Sequence, residues 1–282
     1  MPASDSTKKP ERLSAGLYDK NYYLHTLPGL DHTEKMDVLD PALPETIRFG
    51  RITPGQRILD FGCGRGALVI ALARMSCTAL GIDFSPDAIN FAHEYAKRFP
   101  KEIKDRVAFK QMRMEDLNFE AEFDTIVFNQ VYEHLYDWEL EILLAKFRRA
   151  LKPGGTLVIS TPNLNYIRWL FPLKRISELP LKLIKETLRI FRSKSKHASS
   201  IRAFLKEVFK ILYPESEHTR LHINLQTPRS IRNLLEHRGF KANVTCVDHH
   251  PHLFSVMSRT WWGETIWVSC QKNCHPERSE GS

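Results

Sequence analysis

Three glycines at alternate positions, Gly62, Gly64 and Gly66, are the residues of this sequence best suited to close contact with a ligand. They follow a short apolar run that ends at Asp60–Phe61, and a helical pattern begins directly after them. Glycine lets the backbone approach a ligand closely, and a strand-to-helix turn of this kind lies at the carboxyl edge of a parallel sheet. One residue separates the second and third glycines, where the dinucleotide fingerprint has two. With the Asp60 carboxylate beside it, the loop favours a positively charged nucleoside over a pyrophosphate.

A second acid, Asp83, lies 19 residues after Gly64 and ends the apolar run 79–83. An acid at the end of the second strand can accept hydrogen bonds from both hydroxyls of a ribose. Phe84 follows it and can pack on a nucleobase. The alternative is that Asp83 is a helix-start carboxylate, because Ser85 is typical of a helix N-cap. The glycine loop upstream favours ribose binding.

Glu133 and His134 come shortly after a fourth apolar run, 123–129, which ends at Asn129. Histidine titrates near neutral pH and is therefore suited to remove a proton from a hydroxyl or phenol. We expect His134 to act as this base and Glu133 to orient it. The alternative for His134 is a helix-start residue that bonds only to backbone, and it remains open.

The apolar runs alternate with helical patterns, which predicts an α/β fold with a parallel sheet. LKPGG (151–155) is expected to form a tight turn in which Pro153 stops the preceding helix and the glycines supply positive φ angles. A Thr227–Pro228 helix start and a stop at Gly239 precede the sixth strand. The predicted strands are 57–61, 79–83, 107–112, 123–129, 156–161, a sixth after Gly239, and 264–271.

The order of these motifs resembles the class I methyltransferases that use S-adenosyl-L-methionine (SAM). The resemblance covers 57–161 and resumes after 221. It implies a Rossmann-like, mostly parallel seven-stranded sheet with helices on both faces, an antiparallel last strand, and a helical insertion after strand five. Family members often read D-x-E-D-L where this chain has RMEDL (113–117). The residues expected to bind SAM are Asp60, Gly62, Gly64, Gly66, Asp83, Phe84, Met114 as an apolar wall, Glu115 and Asn129. Either Glu115 or a backbone group is expected to meet the adenine amine.

The Glu133–His134 pair resembles two groups of enzymes, the ubiquinone-biosynthesis O-methyltransferases and the small-RNA 3′-end 2′-O-methyltransferases. These carry E-x-x-E-H, with both acids and the histidine as metal ligands. Gln130 stands here in place of the first acid. Because a neutral amide is a poor ligand for Mg²⁺ and an unusual one for zinc, we expect no metal. Several histidines later in the chain could reach the pocket, namely His218, His222, His249, His250 and His252.

An N-terminal helical cap is expected over residues 1–50, where Tyr18 and Tyr22 belong to a tyrosine-rich cluster. Similar segments cover the mouth of the active site in the resembled family, which implies substrate contacts for both tyrosines. The alternative is that they only pack a helix on the sheet. The remaining divisions are the SAM-binding core 51–162, the insertion 163–220, the C-terminal part of the sheet 221–272 and a disordered tail 273–282.

The insertion 163–220 contains 13 lysines and arginines against 5 glutamates, a net charge of +8 that equals the net charge of the whole chain. Its pattern predicts two amphipathic helices, and basic amphipathic helices are favoured at anionic membrane surfaces. A substrate lid with solvated basic faces is the first interpretation and peripheral membrane contact the second. Nucleic acid is disfavoured, since no recognition module accompanies the charge. In the first helix the apolar residues are Leu181, Ile184, Leu188 and Phe191, and the basic ones are Lys182, Lys185, Arg189 and Arg192.

Composition agrees with a cytoplasmic enzyme: no apolar run reaches about 18 residues, no secretory signal is recognised, and five cysteines lack zinc-like spacing. The combined interpretation is a SAM-dependent methyltransferase that acts on a small molecule. Oxygen is the expected acceptor atom, and a lipid-like molecule is one expected kind of acceptor. RNA 2′-O-methylation and a non-catalytic SAM-binding regulator are the alternatives. The expected location is the cytoplasm, with contact at the inner face of a membrane as the alternative.

Overall fold

The computed structural model describes residues 10–25, 42–171, 173, 221–248 and 262–272. Both predicted helices of the insertion and the predicted tail lie outside the described residues. The strands are β1 Arg57–Phe61, β2 Thr78–Asp83, β3 Val107–Gln111, β4 Phe123–Asn129, β5 Leu151–Pro162, β6 Phe240–Val247 and β7 Thr265–Lys272. The α-helices are α1 Lys20–His25, α2 Leu43–Gly50, α3 Ala67–Arg74, α4 Pro86–Ala96, α5 Lys101–Lys104, α6 Asp137–Ala150 and α7 Pro228–His237.

The seven strands form one sheet in the order β3-β2-β1-β4-β5-β7-β6. Strands β1 to β5 are parallel to one another, and β7 runs antiparallel to both β5 and β6. This confirms the predicted α/β Rossmann-like fold and its antiparallel last strand. The strand order reverses between β1 and β4, and ligands of open α/β sheets bind at such a switch point, outside the carboxyl ends of the strands.

Two apolar clusters hold the helices to the sheet. The first involves α6, whose residues Leu143, Leu144 and Phe147 are fully buried. The second involves α3, with Val69 and Leu72 fully buried. Full burial of one such side chain contributes about 1.5–3 kcal/mol. Strand β1, which leads into the glycine loop, contributes Leu59 to the first cluster and Ile58 to the second, so packing fixes the strand that carries the loop.

The LKPGG segment lies at the start of β5. Helix α6 ends at Ala150, before Pro153, and β5 begins at once, with Leu151 paired to Phe123. The register then shifts, so that Thr156 pairs with Thr125. Within this irregular stretch Gly154 takes the predicted positive φ, at +76°. The strand therefore begins earlier than the predicted 156–161 and contains the segment, which does not form a separate turn before it.

The later elements follow the sequence pattern closely. The Thr227 side chain accepts a hydrogen bond from Ser230 N at 3.1 Å, which caps α7 as predicted. The N-terminal cap contributes α1 and α2 among the described residues. No described helix is long and apolar enough to cross a membrane.

Candidate active site

A cavity of about 910 Å³ opens at the carboxyl ends of β1, β2 and β4, below the N-terminal cap. The predicted site residues that line it are Tyr18, Tyr22, Asp60, Gly62, Gly64, Asp83, Phe84, Met114, Asn129 and His134. Three predicted residues, Gly66, Glu115 and Glu133, are not among its walls. The volume is near the upper end of the range for ligand pockets, which leaves room for a nucleoside and a second molecule together.

Asp83 binds the glycine loop to the start of α4. Its Oδ2 accepts a hydrogen bond from Gly64 N at 3.0 Å, and its Oδ1 accepts one from Ser85 N at 2.9 Å. An ionised carboxylate has about four acceptor sites, so capacity remains for a ribose hydroxyl. Burial raises the pKa of Asp83 to about 6, against the backbone hydrogen bonds of Ser85, Gly64 and Phe84 that lower it. The acid is therefore both structural and suited to a ribose.

The glycines of the loop serve different purposes. A Cβ added at Gly64, where φ is +50°, would meet only a carbon of Tyr23 at 3.8 Å, so this position borders open cavity. At Gly66, where φ is +78°, a Cβ would lie 2.6 Å from the Phe109 ring. Gly66 thus allows α3 to pack on β3, and the structure does not bring it to the cavity.

Glu115, which was expected near the adenine amine, is instead paired with the N-terminal cap. Arg12 Nη2 lies 2.6 Å from Glu115 Oε1, and Arg12 Nε lies 3.2 Å from Glu139 Oε1. The hydrogen bond from Arg12 lowers the pKa of Glu115. Met114 is buried and lines the cavity as the apolar wall that the sequence predicts. The Arg12 guanidinium also lies over the Trp138 ring, 5.1 Å from its centre.

Asn129, at the end of β4, is oriented by the cap. Its Nδ2 donates to Thr46 Oγ1 at 2.9 Å, and Thr46 Oγ1 donates to Ala42 O at 2.8 Å. This arrangement leaves Asn129 Oδ1 as a buried acceptor that has no hydrogen-bond partner among the described residues. Together with the acid Asp60, which is 3% exposed, it gives this end of the cavity a set of acceptors suited to a cation.

His134 also lines the cavity, and a backbone carbonyl group holds its ring. Its Nδ1 lies 3.1 Å from Leu221 O, and because a carbonyl only accepts, Nδ1 carries the proton. In the neutral ring the lone pair therefore belongs to Nε2. The residue is 8% exposed. A backbone contact and a base role are thus compatible, since the contact uses one nitrogen only.

Glu133 lies behind His134 and away from the cavity. Its Oε2 accepts a hydrogen bond from Thr161 Oγ1 at 3.1 Å, and its Oε1 is buried without a hydrogen-bond partner among the described residues. Burial raises the pKa of Glu133 to about 7, although the hydrogen bonds from its own backbone and from Thr161 lower it. This carboxyl is therefore poised to change charge near neutral pH.

Tyr18 connects the cap to both halves of the site. Its ring makes edge contacts with Tyr22, Phe84 and His134, with centroid distances of 5.0, 5.3 and 5.8 Å. Its carbonyl accepts a hydrogen bond from Ser85 Oγ at 2.8 Å. Burial raises the pKa of Tyr18 and, to about 12, that of Tyr22, so both phenols stay protonated. The tyrosines pack the cap and also face the cavity.

The two-acid metal site of the E-x-x-E-H enzymes is not reproduced. Gln130 Nε2 donates to Ser160 Oγ at 3.3 Å, so this position offers an amide already bonded to a hydroxyl. Among the described residues, Glu133, His134 and His222 each place one potential ligand atom within 4.8 Å of the others. That set holds a single carboxylate, whereas Mg²⁺ prefers several oxygen ligands. We assign no step to a metal.

Sequence reasoning missed several residues of the site. Arg12 and Thr46 contact Glu115 and Asn129, which are far away in the chain, and no local pattern marks them. The same holds for Asn224, whose Nδ2 donates to Leu135 O at 3.0 Å, next to His134. His222 was one of five histidines that could reach the pocket, and it is the one that the described residues bring beside His134, with ring centroids 5.1 Å apart. Tyr23 lines the cavity and belongs to the tyrosine cluster already noted.

The fold and the nucleoside-binding features together define a SAM-dependent class of α/β enzyme. The family model described as "Methyltransferase domain" matches residues 32–245. The chain belongs to this family, the class I SAM-dependent methyltransferases, and its cofactor is SAM. The buried acceptors at Asp83 and Asn129, and the open space at Gly64, fit this cofactor.

Curated relatives match part of the chain. The mitochondrial ubiquinone biosynthesis O-methyltransferase of Rattus norvegicus is 36% identical over 116 residues, which are 40% of this chain and 33% of that protein. The ubiquinone biosynthesis O-methyltransferase of Methylococcus capsulatus is 33% identical over 130 residues, 45% of this chain and 52% of that protein. The matches therefore span from a third to about half of the length of these relatives.

Solved structures share the fold over most of the chain. A SAM-dependent methyltransferase from Methanosarcina mazei has a TM-score of 0.53 at 19% identity, covering 81% of this chain and 98% of that chain. Phosphoethanolamine N-methyltransferase 2 of Haemonchus contortus, in complex with SAM, has a TM-score of 0.50 at 17% identity, covering 82% of this chain and 51% of that chain. At these identities the likeness concerns the fold alone.

Proposed function

We propose that this protein transfers the methyl group of SAM to a hydroxyl oxygen of a small molecule. The observation that carries the proposal is that His134, oriented by the Leu221 carbonyl, lines the same cavity as Gly64 and Asp83. The proposed proton acceptor and the proposed nucleoside site thus share one cavity. The matches to ubiquinone biosynthesis O-methyltransferases support oxygen as the acceptor atom.

The residues at the carboxyl ends of β1, β2 and β4 would hold the cofactor. Asp83 accepts the ribose hydroxyls, while Asp60 and the Oδ1 of Asn129 are acceptors for the positively charged methionine part. Met114 and Phe84 supply apolar contacts for the adenine. When bound, SAM supplies a methyl group activated by a sulfonium. Positioning and exclusion of water by the cavity then provide much of the rate.

His134 would remove the proton of the acceptor hydroxyl at its Nε2 as the oxygen attacks the methyl group. The imidazolium that results keeps its Nδ1–H on the Leu221 carbonyl. Glu133, with a carboxyl oxygen within 4.8 Å of a ring nitrogen of His134, can offset the positive charge in this partly dry environment. The two residues therefore act as base and electrostatic partner.

The acceptor is proposed to be an apolar or aromatic alcohol, including lipid-like molecules such as isoprenoid quinone precursors or glycolipid intermediates. The rings of Tyr18, Tyr22 and Trp267 are among the walls of the cavity. Aromatic walls of this kind favour flat or apolar ligands. The cap would also exclude water from the reacting atoms through Tyr18, which packs edge-on against His134.

Methyl transfer can be tested directly with the purified protein and SAM labelled in its methyl group. We expect label to pass to phenolic or lipid-like alcohols of an extracted metabolite pool, and metabolite profiling of a strain lacking the gene should show one methylated species missing. Label that enters RNA, with binding that weakens steeply as salt rises, would instead support 2′-O-methylation of RNA. SAM binding without transfer to any acceptor would support a non-catalytic regulator.

We further propose that the insertion 163–220 contacts anionic membranes, where a lipid-like acceptor would be found. The support is its charge, since 13 basic residues stand against 5 glutamates and alternate with apolar residues. A lid that merely covers the site would need the apolar stripes but not the excess of basic residues. Each basic residue near such a surface contributes about 1 kcal/mol, attenuated by salt.

The quadruple change of Lys182, Lys185, Arg189 and Arg192 to glutamate is expected to abolish flotation with vesicles rich in phosphatidylserine. SAM affinity should be unchanged, because the cofactor residues belong to other elements. A matched control places four glutamates on the exposed basic residues Lys97, Arg98, Lys101 and Lys104, outside the insertion. Equal flotation of wild type and quadruple variant at low salt would contradict membrane contact and leave the lid interpretation.

A further inference from the structure

The segment Leu221–Asn224, here called the return segment, is the stretch of chain that follows the insertion and rejoins the core. It binds the turn that carries the proposed base at three points. Leu221 O accepts the hydrogen bond from His134 Nδ1 at 3.1 Å. Ile223 N and Asn224 N both donate to Glu133 O, at 2.9 and 3.0 Å. The return segment therefore contacts both the backbone and the ring of the Glu133–His134 pair.

Asn224 fastens the return segment in place. Its Nδ2 donates to Leu135 O at 3.0 Å and to Asp137 Oδ1 at 2.9 Å, just after the turn that contains His134. Its Oδ1 accepts a hydrogen bond from Gln226 Nε2. The Nδ2 and the backbone N–H of Asn224 thus bind residues on either side of His134, and its Oδ1 binds Gln226. A side chain that makes so many directed bonds is difficult to replace.

The position of Leu221 O decides which nitrogen of His134 can accept a proton. A neutral imidazole exists as two tautomers, with the proton on Nδ1 or on Nε2. Because the carbonyl accepts from Nδ1, it selects the tautomer whose lone pair lies on Nε2. If the carbonyl moved away, the ring would be free to adopt the other tautomer, whose Nε2 carries a proton and cannot accept another.

We propose that Asn224 is a positioning residue for His134, which acts by holding Leu221 O where it enforces the Nδ1–H tautomer. The catalytic consequence rests on the proposed function, since it requires His134 to be the base. The tautomer itself does not, because it can be observed without any acceptor. His222 lies within the same segment and packs edge-on against His134, which adds steric restraint on the ring.

The test is nuclear magnetic resonance of the protein with ¹⁵N-labelled histidine, in which the two neutral tautomers give different correlation patterns. The His134 signal is identified by its loss in His134→Gln. In the wild type we expect the Nδ1–H pattern. In Asn224→Ala we expect a mixture of both patterns, with circular dichroism and SAM affinity unchanged. Asn224→Asp should behave in the same way, because it keeps the shape and removes both amide hydrogen bonds.

Activity provides the second readout once an acceptor is known. Loss of hydrogen bonds of this strength is expected to lower kcat about tenfold in Asn224→Ala, while KM for SAM stays unchanged. The matched control is Asn243→Ala, an exposed asparagine of β6, which should alter neither the tautomer nor kcat. A tautomer mixture without loss of kcat would show that Asn224 controls the tautomer of His134 and that His134 is not the base.

Two results would overturn the proposal. The first is an Nε2–H pattern for His134 in the wild type, and the second is an unchanged Nδ1–H pattern in Asn224→Ala. Stoichiometric Zn²⁺ binding by the wild type that is lost in His222→Gln would contradict the base role in the proposed function, because Nε2 of His134 would then be a metal ligand, and it would leave the tautomer result standing. Failure to find any acceptor would count against the proposed function and leave the tautomer result standing.

Discussion

Replacement of His134 with glutamine is expected to lower kcat by about 10²–10⁴, the usual range for loss of a general base. Glutamine is similar in size and can still bond to Leu221 O, but it has no lone pair basic enough to take a proton. The affinity for SAM should stay within about twofold, because Asp83 and the glycine loop lie on other strands. Single-turnover transfer of labelled methyl groups measures the first quantity and isothermal titration calorimetry the second.

His237→Gln is the matched control, since this histidine is exposed at the end of α7, away from the cavity. It should leave both quantities unchanged. Normal turnover by His134→Gln would mean that positioning of the two substrates suffices for methyl transfer. His134 would then be a structural residue whose role is its hydrogen bond to Leu221 O.

Asp83→Ala is expected to weaken SAM binding by about ten- to a hundredfold, which corresponds to about 1.5–3 kcal/mol for hydrogen bonds to a charged group. The substitution removes both ribose acceptors and also the partner of Gly64 N, so it acts directly and through the loop. Asp87→Ala is the matched control, because Asp87 is a nearby acid in the first turn of α4 and does not line the cavity. Unchanged calorimetry in Asp83→Ala would contradict ribose recognition by this acid.

The same residue predicts how cofactor binding depends on pH. Burial raises the pKa of Asp83 to about 6 in the cofactor-free protein. Ribose hydroxyls donate to the ionised form, so cofactor binding lowers this pKa, and affinity is full above pH 6 and falls as pH drops through 6. The decrease should approach tenfold per pH unit. Asp83→Asn, which cannot ionise, should bind more weakly at pH 8 with little change toward pH 5.

The sequence alone was sufficient for the class of protein and for the meeting of the glycine loop with Asp83. The glycine loop, the acid at Asp83 and the apolar strands are local patterns, and each depends on neighbours within about one supersecondary unit. Parallel β-α-β units have one preferred handedness, so their order along the chain determines the order of strands in the sheet. Asp83 and Gly64 consequently meet at the carboxyl ends of β2 and β1, as the spacing predicts.

The local sequence pattern gave the wrong role for a residue or segment where a contact with a residue far away in the chain determines its conformation. LKPGG predicts a turn by its proline and glycines, yet Leu151 pairs with Phe123 and draws the segment into β5. Glu115 was expected to face the adenine, yet Arg12 lies 2.6 Å away and takes its carboxylate. In both cases the favourable contact comes from a residue that no window around the motif contains.

The contacts that orient the proposed base and Asn129 were decided by tertiary structure alone. His134 and Leu221 are 87 residues apart, and Asn129 and Thr46 are 83 apart. Side chains acquire a tautomer, an orientation or a shifted pKa from whatever the fold places within a few ångströms, and sequence spacing does not encode those neighbours. The residue types at Glu133 and His134 identified a candidate acid–base pair. Only the packing of the return segment against their turn determined which nitrogen holds the lone pair, because that contact exists only after the chain has folded back from the insertion.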